Sequence, residues 1–300
     1  MRVILTGAGG FLGTEVLRQL KDRQDVTVIA VSSKPSLAAS EELEGITLVA
    51  PDRLLGEPTL MRDADVLLNC AFPRGADGES LASGMKFLDG LFSGAAQADV
   101  RAVVNVSSQS VYSQHRVEPA DEQTPLCLES KYAVAKYASE LMLGAHCSDI
   151  PHTNIRMASL IGPGFDERVV NKMARKALLG DDLAVAENGS RFGFLDVRDA
   201  ANALLTLMGS DSAMWRREYV LGSDDCYTLT CIAEAVIASV SRTTGTSCRM
   251  TVRESDAPSV RSPCCSDAFS QDTGWVQQYP LSETVDRIVK SVAEGVREDA

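Results

Sequence analysis

Tyr132 and Lys136 stand four residues apart in a stretch of helical periodicity that runs from residue 130 to residue 147. Residues at this spacing lie on one face of a helix, so the phenol and the ammonium group are neighbours. A nearby cation favours the phenolate and lowers the pKa of a phenol from its usual value of about 10. Tyr132 could then exchange a proton with an alcohol or a ketone while a hydride moves to or from a nicotinamide ring.

Three serines, Ser107, Ser108 and Ser110, precede this pair at the end of a predicted strand. Ser108 could hydrogen-bond the reacting oxygen of a substrate and stabilise the negative charge that develops there, with Ser107 and Ser110 as competing hydroxyls. The alternative is an exposed helix pair together with serines that only solvate a strand end. Ligand sites of doubly wound sheets lie at the carboxyl ends of strands, which favours the functional interpretation.

A glycine-rich turn, residues 6–13, connects the first predicted strand to the first predicted helix. Gly7 permits a tight turn, Gly10 lets the backbone approach a pyrophosphate, and Gly13 lets the helix pack against the strand. The helix begins at Phe11 and Leu12, and its free N–H groups favour an anion. A flexible turn is the alternative, but the position between strand and helix predicts a dinucleotide-binding site that includes Phe11 and Leu12.

The second predicted strand ends in Ser32, Ser33 and Lys34, without the Asp or Glu that would bind the ribose hydroxyls of NAD. Small hydroxyls and a lysine can instead bind the 2′-phosphate of NADP. NADP is therefore the preferred cofactor, and NAD is the alternative, in which Lys34 is an ordinary solvated residue. Asp52 follows the third strand and is either a partner for the adenine amino group or an ordinary turn residue.

Short apolar runs rich in β-branched residues alternate with helical stretches over the first half of the chain. The runs predict buried strands at residues 2–6, 26–31, 46–49, 65–69 and 101–107, and the stretches predict helices near 11–23, 55–62, 80–98 and 130–147. This alternation produces a parallel sheet covered by helices on both faces. The predicted fold class is α/β, with a Rossmann-type doubly wound parallel sheet.

Beyond residue 150 the alternation is less regular. A strand at 153–158 and helices near 167–179, 197–209, 229–242 and 281–297 are predicted. No linker separates the halves, so we expect residues 1–160 to form an NAD(P)-binding Rossmann domain and residues 161–300 mainly a smaller C-terminal substrate-binding lobe. A later strand and helix are expected to return to the first domain.

Composition restricts the partners of the protein. The chain has 29 basic and 41 acidic residues, and its net charge of −12 disfavours nucleic acid and anionic membrane surfaces. The eight cysteines have no metal-binding spacing, and no secretory signal precedes the first strand, so we expect reduced thiols, no metal and a cytoplasmic location. A small-molecule substrate is the expected partner, since helix termini can hold an anion against the global charge.

These motifs together resemble the extended short-chain dehydrogenases/reductases, in the NAD(P)-dependent epimerase/dehydratase family. The resemblance covers nearly the whole chain and rests also on Glu140 and on residues 154–156, 161–164, 194–201 and 274–283. It implies that Ser108, Tyr132 and Lys136 form the catalytic triad. The further cofactor contacts that it implies are Cys70, Ala71, Phe72, Ser107 and Ser159, besides Tyr132 and Lys136, and the implied substrate contacts are Phe72, Ser108, Gln109, Ser110, Asn171 and Arg191.

The sequence departs from this family at positions that bear on the reaction. Gln109 and Ser110 stand where dehydratase members carry an Asp-Glu pair, and neither is a carboxylate, so dehydration is disfavoured. Gly84 stands where many members carry Asn on a helix that faces the active site. The resemblance then implies a reductase or an epimerase that acts on a secondary alcohol or ketone of a nucleotide-activated sugar.

Two alternatives to this function are a reductase of a non-sugar ketone, suggested by Gly84, and a regulatory protein that senses NADP without turnover. Sensors of this fold typically lose the Tyr/Lys pair, which is present here. The resemblance also implies a homodimer, because two helices of this family often form a four-helix interface. The apolar stripes that would form this interface contain Leu81, Met85, Leu88, Phe92, Tyr137 and Leu141. The alternative is that these stripes pack only on the sheet.

Overall fold

Seven parallel strands form the central sheet of the computed structural model, which describes residues 1–21, 23, 25–33, 45–73 and 77–298. The strands of these residues are, in chain order, β1 Arg2–Thr6, β2 Thr27–Val31, β3 Ile46–Val49, β4 Val66–Asn69, β5 Val103–Ser108, β6 His152–Met157, β7 Ser159–Ile161, β8 Leu183–Glu187, β9 Phe194–Asp196, β10 Glu218–Leu221 and β11 Met250–Glu254. Across the central sheet the order is β10-β6-β5-β4-β1-β2-β3. The predicted doubly wound α/β fold is confirmed.

Helices cover both faces of this sheet. In chain order the helices of the described residues are α1 Phe11–Lys21, α2 Pro51–Gly56, α3 Gly78–Gln97, α4 Lys131–His146, α5 Val169–Leu178, α6 Val197–Met208, α7 Leu229–Thr244, α8 Asp267–Thr273 and α9 Leu281–Glu298. Helices α1 and α6 pack together on one face, and α3 and α4 pack together on the other. Successive residues of β1 alternate between the two cores, because Val3 and Leu5 belong to the first and Ile4 to the second.

The second half of the chain builds a further core and also extends the first sheet. Helices α5, α7 and α9 pack on one another beside the parallel pair β8–β11, around Val170, Val236 and Val289. Strand β10 pairs in parallel with β6 at the edge of the central sheet. Residues after 160 therefore contribute both to a separate core and to the edge of the central sheet.

One predicted helix is wrong. The stretch near 55–62 is interrupted, because α2 ends at Gly56 and a separate 3-10 turn covers Pro58–Met61. Pro58 has no N–H group to continue the helix, and its ring clashes with the preceding turn. Pro51, by contrast, occupies the first turn of α2, where a missing N–H group costs nothing, so the helix begins earlier than predicted.

Two features are absent from the described ranges. No helix there combines the length and the apolar composition that crossing a bilayer requires. No group of three or more His, Cys, Asp or Glu side chains in those ranges is arranged to hold a metal ion.

Candidate active site

The glycine-rich turn lies where the strand connections reverse direction. Strand β1 is flanked by β2 on one side and β4 on the other. The crevice outside the carboxyl ends of β1 and β4 is where doubly wound sheets bind their ligands. Gly10 N donates to Gly7 O at 2.8 Å, and Ala8 N donates to Val31 O at 3.1 Å. Phe11 and Leu12 begin α1, so the positive end of its dipole lies at this crevice.

Two glycines of the turn have no space for a side chain. Gly7 has a φ of +70°, and a Cβ atom there would lie 2.7 Å from backbone atoms of Cys70 and Ala71. A Cβ atom at Gly13 would lie 2.1 Å from Gly7 O. The turn therefore packs directly on the loop after β4. This cradle fits a dinucleotide pyrophosphate, which binds backbone N–H groups at a helix N-terminus.

Cys70 and Ala71 line the same crevice from the loop after β4. Cys70 N donates to Thr6 O at 3.1 Å, and Ala71 N donates to Asn69 Oδ1 at 3.2 Å. Burial raises the pKa of the Cys70 thiol to about 12, although the nearby Lys136 opposes this. The thiol is therefore protonated at neutral pH and is not an activated nucleophile.

The predicted adenosine contacts lie at two neighbouring strand ends. Ser32 and Ser33 follow β2, and Asp52 lies in the first turn of α2, directly after β3. Strands β2 and β3 pair in parallel, so these residues share one edge of the sheet. Lys34 lies outside the described residues.

Tyr132 and Lys136 occupy the first two turns of α4. Ser130 caps this helix, because its Oγ accepts a hydrogen bond from Ala133 N at 3.1 Å. The rings of Phe72 and Tyr132 meet edge to face, with their centroids 5.4 Å apart. Lys136 Nζ lies 3.8 Å from the Phe72 centroid and 5.9 Å from the Tyr132 centroid. The ammonium and the two rings therefore form one group.

Burial sets the protonation of this group. Burial raises the pKa of Tyr132 above its usual value, whereas hydrogen bonding to Ser108 and the charge of Arg168 oppose the rise. Burial lowers the pKa of Lys136 to about 7, against the opposing effects of Cys70 and Glu140. The phenol is therefore a proton donor at neutral pH, and the lysine titrates close to neutrality, which suits a proton-transfer site.

The serines near Tyr132 have different environments. Ser108 is hydrogen-bonded to Tyr132. Ser107 is buried and donates to Glu140, which also binds Arg156 at 2.8 Å. Although burial alone would lower the pKa of Arg156, the hydrogen bonds that it donates to Glu140 raise it. The Ser107 hydroxyl is thus engaged by the buried Arg156–Glu140 ion pair, and Ser108 is the better placed hydroxyl for a substrate oxygen.

Gln109 and Ser110 follow in a 3-10 turn, in which Ser108 Oγ accepts from Ser110 N at 3.1 Å. Gln109 Oε1 accepts a hydrogen bond from Arg116 at 3.0 Å. Arg116 also donates to Pro263 O at 2.9 Å, so Gln109 helps to join the loop to the C-terminal half. Ser110 Oγ is buried and has no hydrogen-bond partner among the described residues.

Two residues outside the predicted set of site residues, Phe165 and Arg168, close the crevice from the C-terminal side. Phe165 packs on Phe11 with ring centroids 4.5 Å apart, and Arg168 Cζ lies 4.6 Å from the Phe165 centroid. Arg168 Nε is buried without a hydrogen-bond partner in the described part of the chain. The sequence signal for these two residues is an aromatic and a basic side chain just after the Gly-Pro-Gly turn at residues 162–164. Their contact with the glycine-rich turn depends on tertiary packing, which the sequence does not show.

The other predicted substrate and cofactor residues come from separate elements. Asn171 is buried on α5, where its Nδ2 donates to Gly162 O at 3.1 Å, and its Oδ1 has no partner within the described ranges. Arg191, which follows β8, donates to Ser190 O at 2.9 Å. Ser159 begins β7 and pairs with Phe194.

Gly84 on α3 faces the loop that carries Phe72. A Cβ atom at Gly84 would lie 2.4 Å from Pro73 Cγ and 2.6 Å from Pro73 Cδ. Pro73 directly follows Phe72, whose ring contacts Tyr132 and Lys136. The missing side chain at position 84 therefore lets this loop pack on α3.

Replacing Gly84 with Ala is expected to lower the free energy of unfolding by about 1–3 kcal/mol, because the new methyl group overpacks the contact with Pro73. Gly90→Ala on the same helix is the matched control, since a Cβ atom there would meet Leu55 at an ordinary 3.4 Å. Alanine is the better helix former, so Gly90→Ala should stabilise the protein by up to about 1 kcal/mol. Urea unfolding measures both, and equal stabilities of the two variants would contradict the packing described here.

Comparison with known proteins gives a family match and several relatives. The sequence model of the NAD dependent epimerase/dehydratase family matches residues 3–222. The low-salt glycan biosynthesis protein Agl12 of Haloferax volcanii is 25% identical over 209 residues, which are 63% of this chain and 67% of that protein. A dTDP-4-dehydro-6-deoxy-D-allose reductase from a Streptomyces species is 27% identical over 237 residues, 69% of this chain and 72% of the reductase.

Solved structures show the same fold. The UDP-glucuronic acid 4-epimerase from Bacillus cereus, in complex with UDP-glucuronic acid and NAD, superposes with a TM-score of 0.81. The match covers 98% of this chain and 99% of the epimerase at 14% sequence identity. At this identity the likeness concerns the fold.

Proposed function

Since the chain belongs to the NAD dependent epimerase/dehydratase family, we propose that this NAD(P)-dependent enzyme reduces or epimerises a nucleotide-activated sugar at a carbonyl or secondary alcohol carbon. The observation that carries the proposal is the placement of Tyr132, Lys136 and Ser108 at one strand end beside the glycine cradle. A dinucleotide whose pyrophosphate lay in that cradle would supply a hydride to the carbonyl carbon from its reduced nicotinamide. The chain's own residues then have to hold the carbonyl oxygen and deliver a proton to it.

Tyr132 is the proposed acid. As the carbonyl carbon accepts the hydride, the phenolic proton of Tyr132 moves to the carbonyl oxygen, so a ketone becomes a secondary alcohol and the phenol becomes a phenolate. Ser108 donates a hydrogen bond to the same oxygen and stabilises its developing charge. Lys136 stabilises the phenolate by its positive charge and is placed to bind the nicotinamide ribose. In the direction of oxidation the same residues act in reverse.

The support for a sugar nucleotide comes from the relatives and from the C-terminal half. One relative is named as a reductase of a dTDP-linked dehydro sugar. Arg168 Nε and Asn171 Oδ1 are buried without hydrogen-bond partners among the described residues, and we propose that these two residues and Arg191 contact the substrate from the C-terminal half. Guanidinium groups suit phosphate and carboxylate oxygens. We propose that Phe72, Gln109 and Ser110 complete the substrate contacts.

The residues after Ser108 favour net reduction or epimerisation over dehydration. Gln109 and Ser110 lack a carboxylate, and Gln109 is bound to Arg116. Native mass spectrometry of the purified protein separates the two remaining reactions. A cofactor that stays bound through dialysis supports an epimerase, which recycles it internally, whereas an empty protein supports a reductase, which must exchange it.

NADP is the proposed cofactor because β2 is followed directly by Ser32 and Ser33, and no Asp or Glu stands at this strand end within the described range 25–33 after Asp25. We expect NADPH to bind at least about tenfold more tightly than NADH, a difference of about 1.4 kcal/mol, since the 2′-phosphate gains charge-assisted hydrogen bonds. Isothermal titration of both cofactors measures the ratio. Ser33→Asp should reverse the preference, and Ser83→Asp on the exposed part of α3 is the control; tighter binding of NADH by the unmodified protein would contradict the assignment.

A homodimer through α3 and α4 is also proposed. Leu81, Leu88 and Phe92 are buried in the chain's own core, so they are not available to a partner. Leu141 is 58% exposed on α4, and Val134 is 50% exposed. Sedimentation of the protein and of a Leu141→Arg variant tests whether this face is an interface.

A further inference from the structure

A row of polar side chains crosses the central sheet beneath the candidate active site. Thr6, Asn69, Asn105 and Asn154 are register partners on the four adjacent strands β1, β4, β5 and β6. None of the four is more than 6% exposed. Three asparagines in a buried sheet are unusual, because this residue is depleted in strands and each buried amide needs partners. We call this row the amide ladder.

The amide ladder is hydrogen-bonded along its whole length. Thr6 Oγ1 donates to Asn69 Oδ1 at 2.6 Å, Asn69 Nδ2 donates to Asn105 Oδ1 at 2.9 Å, and Asn105 Nδ2 donates to Asn154 Oδ1 at 2.9 Å. All three bonds point in the same direction, so each amide polarises the next. Such a network is rigid when it is complete, and it fixes the side chains that it contacts.

The amide ladder has a branch to the helix that carries the catalytic pair. Asn105 Nδ2 also donates to Ser139 Oγ at 3.2 Å, and Ser139 Oγ donates to Lys136 O at 2.7 Å. Ser139 is fully buried on α4, one turn after Lys136. At the same time Lys136 Nζ donates to Val106 O at 2.8 Å. Both ends of Lys136, its carbonyl and its ammonium, are therefore tied to consecutive residues of β5.

At its other end the amide ladder reaches the cofactor crevice. Asn69 Oδ1, which accepts from Thr6, also accepts from Ala71 N. Thr6 is the last residue of β1 before the glycine turn. The same network thus connects the backbone of the crevice with the turn of α4 that presents Lys136. The bonds between the strands are complete without Ser139, so its bonds to Asn105 and Lys136 serve to hold α4.

We propose that Asn105 and Ser139 are positioning residues that fix Lys136, and with it Tyr132, relative to strand β5 and Ser108. This inference rests on the proposed function, in which Lys136 acts on Tyr132. A displacement of a reacting group by about 1 Å can cost about a hundredfold in rate. A small shift of α4 relative to strand β5 is therefore sufficient to impair turnover. Asn105 and Ser139 are both buried, so we expect them to act through Lys136 and not by contact with substrate or cofactor.

The test removes the branch and leaves the amide ladder itself in place. Ser139→Ala deletes the hydroxyl group, while Asn105 keeps its bond to Asn154. Ser239→Ala is the matched control, because Ser239 is equally buried on helix α7 and its Oγ has no partner among the described residues. Ser139→Thr restores a hydroxyl group and is the conservative variant. All three variants are made in the chain of 300 residues.

The first readout is the pH midpoint at which Lys136 titrates, which NMR measures in protein labelled at the Cε atoms of its lysines. The signal of Lys136 is assigned as the one that is lost in Lys136→Met. Ser139→Ala should move the midpoint upward by about half a pH unit or more, because a loosened turn admits water to a buried ammonium. Ser239→Ala should leave it unchanged, and Ser139→Thr should restore it. This readout needs no substrate, so it judges the positioning role even if the chemistry assigned to the site is wrong.

The second readout is turnover of dTDP-4-dehydro-6-deoxy-D-allose, the ketone named for one relative, with NADPH. Ser139→Ala should lower kcat about tenfold and leave both KM values within about twofold, since positioning acts on the chemical step. A Ser139→Ala protein with the unmodified Lys136 midpoint and kcat, whatever its melting temperature, would overturn the proposal and leave a purely structural network. If Tyr132→Phe retains full turnover in the same assay, the proposed function fails, whereas the Lys136 midpoint of Ser139→Ala still decides whether Ser139 positions Lys136.

Discussion

Replacing Tyr132 with Phe is expected to lower turnover by about a thousandfold and to leave the affinity for the cofactor within about twofold. A positioned general acid contributes about 10²–10⁴ in rate, and the substitution removes its only acidic proton. The ring itself stays, so its edge-to-face contact with Phe72 at 5.4 Å is retained. The measurement is kcat with a nucleotide-linked ketone, beside a titration of the cofactor.

Tyr137→Phe provides the control for this substitution. Tyr137 lies on the same helix and borders a surface groove that neither Tyr132 nor Ser108 lines. Its variant should keep the turnover of the unmodified protein. Substantial turnover by Tyr132→Phe would show that another group delivers the proton.

Lys136→Met is expected to abolish turnover and, at the same time, to stabilise the fold. The ammonium is buried, with 4% of the residue exposed, and burial lowers its pKa to about 7. Replacing a buried charged group with an apolar side chain of similar volume commonly stabilises a protein by about 1–4 kcal/mol. A functional group that reduces stability is typical of active sites. Urea unfolding of both proteins measures the difference.

The gain in free energy of unfolding from Lys136→Met should decrease as the pH rises. Between pH 7 and the ordinary lysine pKa of about 10.4, the unfolded chain holds a proton on this side chain that the folded chain does not. Stability rises with pH wherever the unfolded state binds more protons, so the unmodified protein gains stability over this range and the variant does not. The stability difference should therefore be largest at pH 7 and below, and should shrink towards pH 10.

Lys131→Met is the control for this pair of experiments, because Lys131 is exposed on the same helix. It should change neither turnover nor the pH dependence of stability. A Lys136→Met protein that is less stable than the unmodified one at every pH would contradict the account of the buried ammonium.

The sequence predicts those parts of the fold and site that local patterns determine. The buried strands β1 to β5 are nearly continuous apolar runs, and their predicted ends agree with the structure to within two residues. The glycine turn follows from steric demands at Gly7 and Gly13. The Tyr132–Lys136 pair follows from the helical repeat alone.

Other features depend on packing between distant segments and leave little local signal. Arg168 reaches the environment of Tyr132 through the packing of Phe165 on Phe11. The amide ladder requires the register of four strands, which no single segment reveals. Strands β7 and β9 are only three residues long, too short for a period to be recognised. The break at Pro58 shows the opposite case, in which a local signal was present and should have outweighed the apolar pattern.

The central claim is that this chain transfers a hydride between a nicotinamide and a sugar nucleotide, with Tyr132 as the proton donor. NADPH deuterated at the transferring position is incubated with the protein and dTDP-4-dehydro-6-deoxy-D-allose, and the sugar nucleotide is analysed by mass spectrometry. The account predicts that deuterium appears on the sugar with the unmodified protein and not with Tyr132→Phe. A protein that binds NADPH but leaves this ketone and a panel of UDP-linked and dTDP-linked sugars free of deuterium would contradict it.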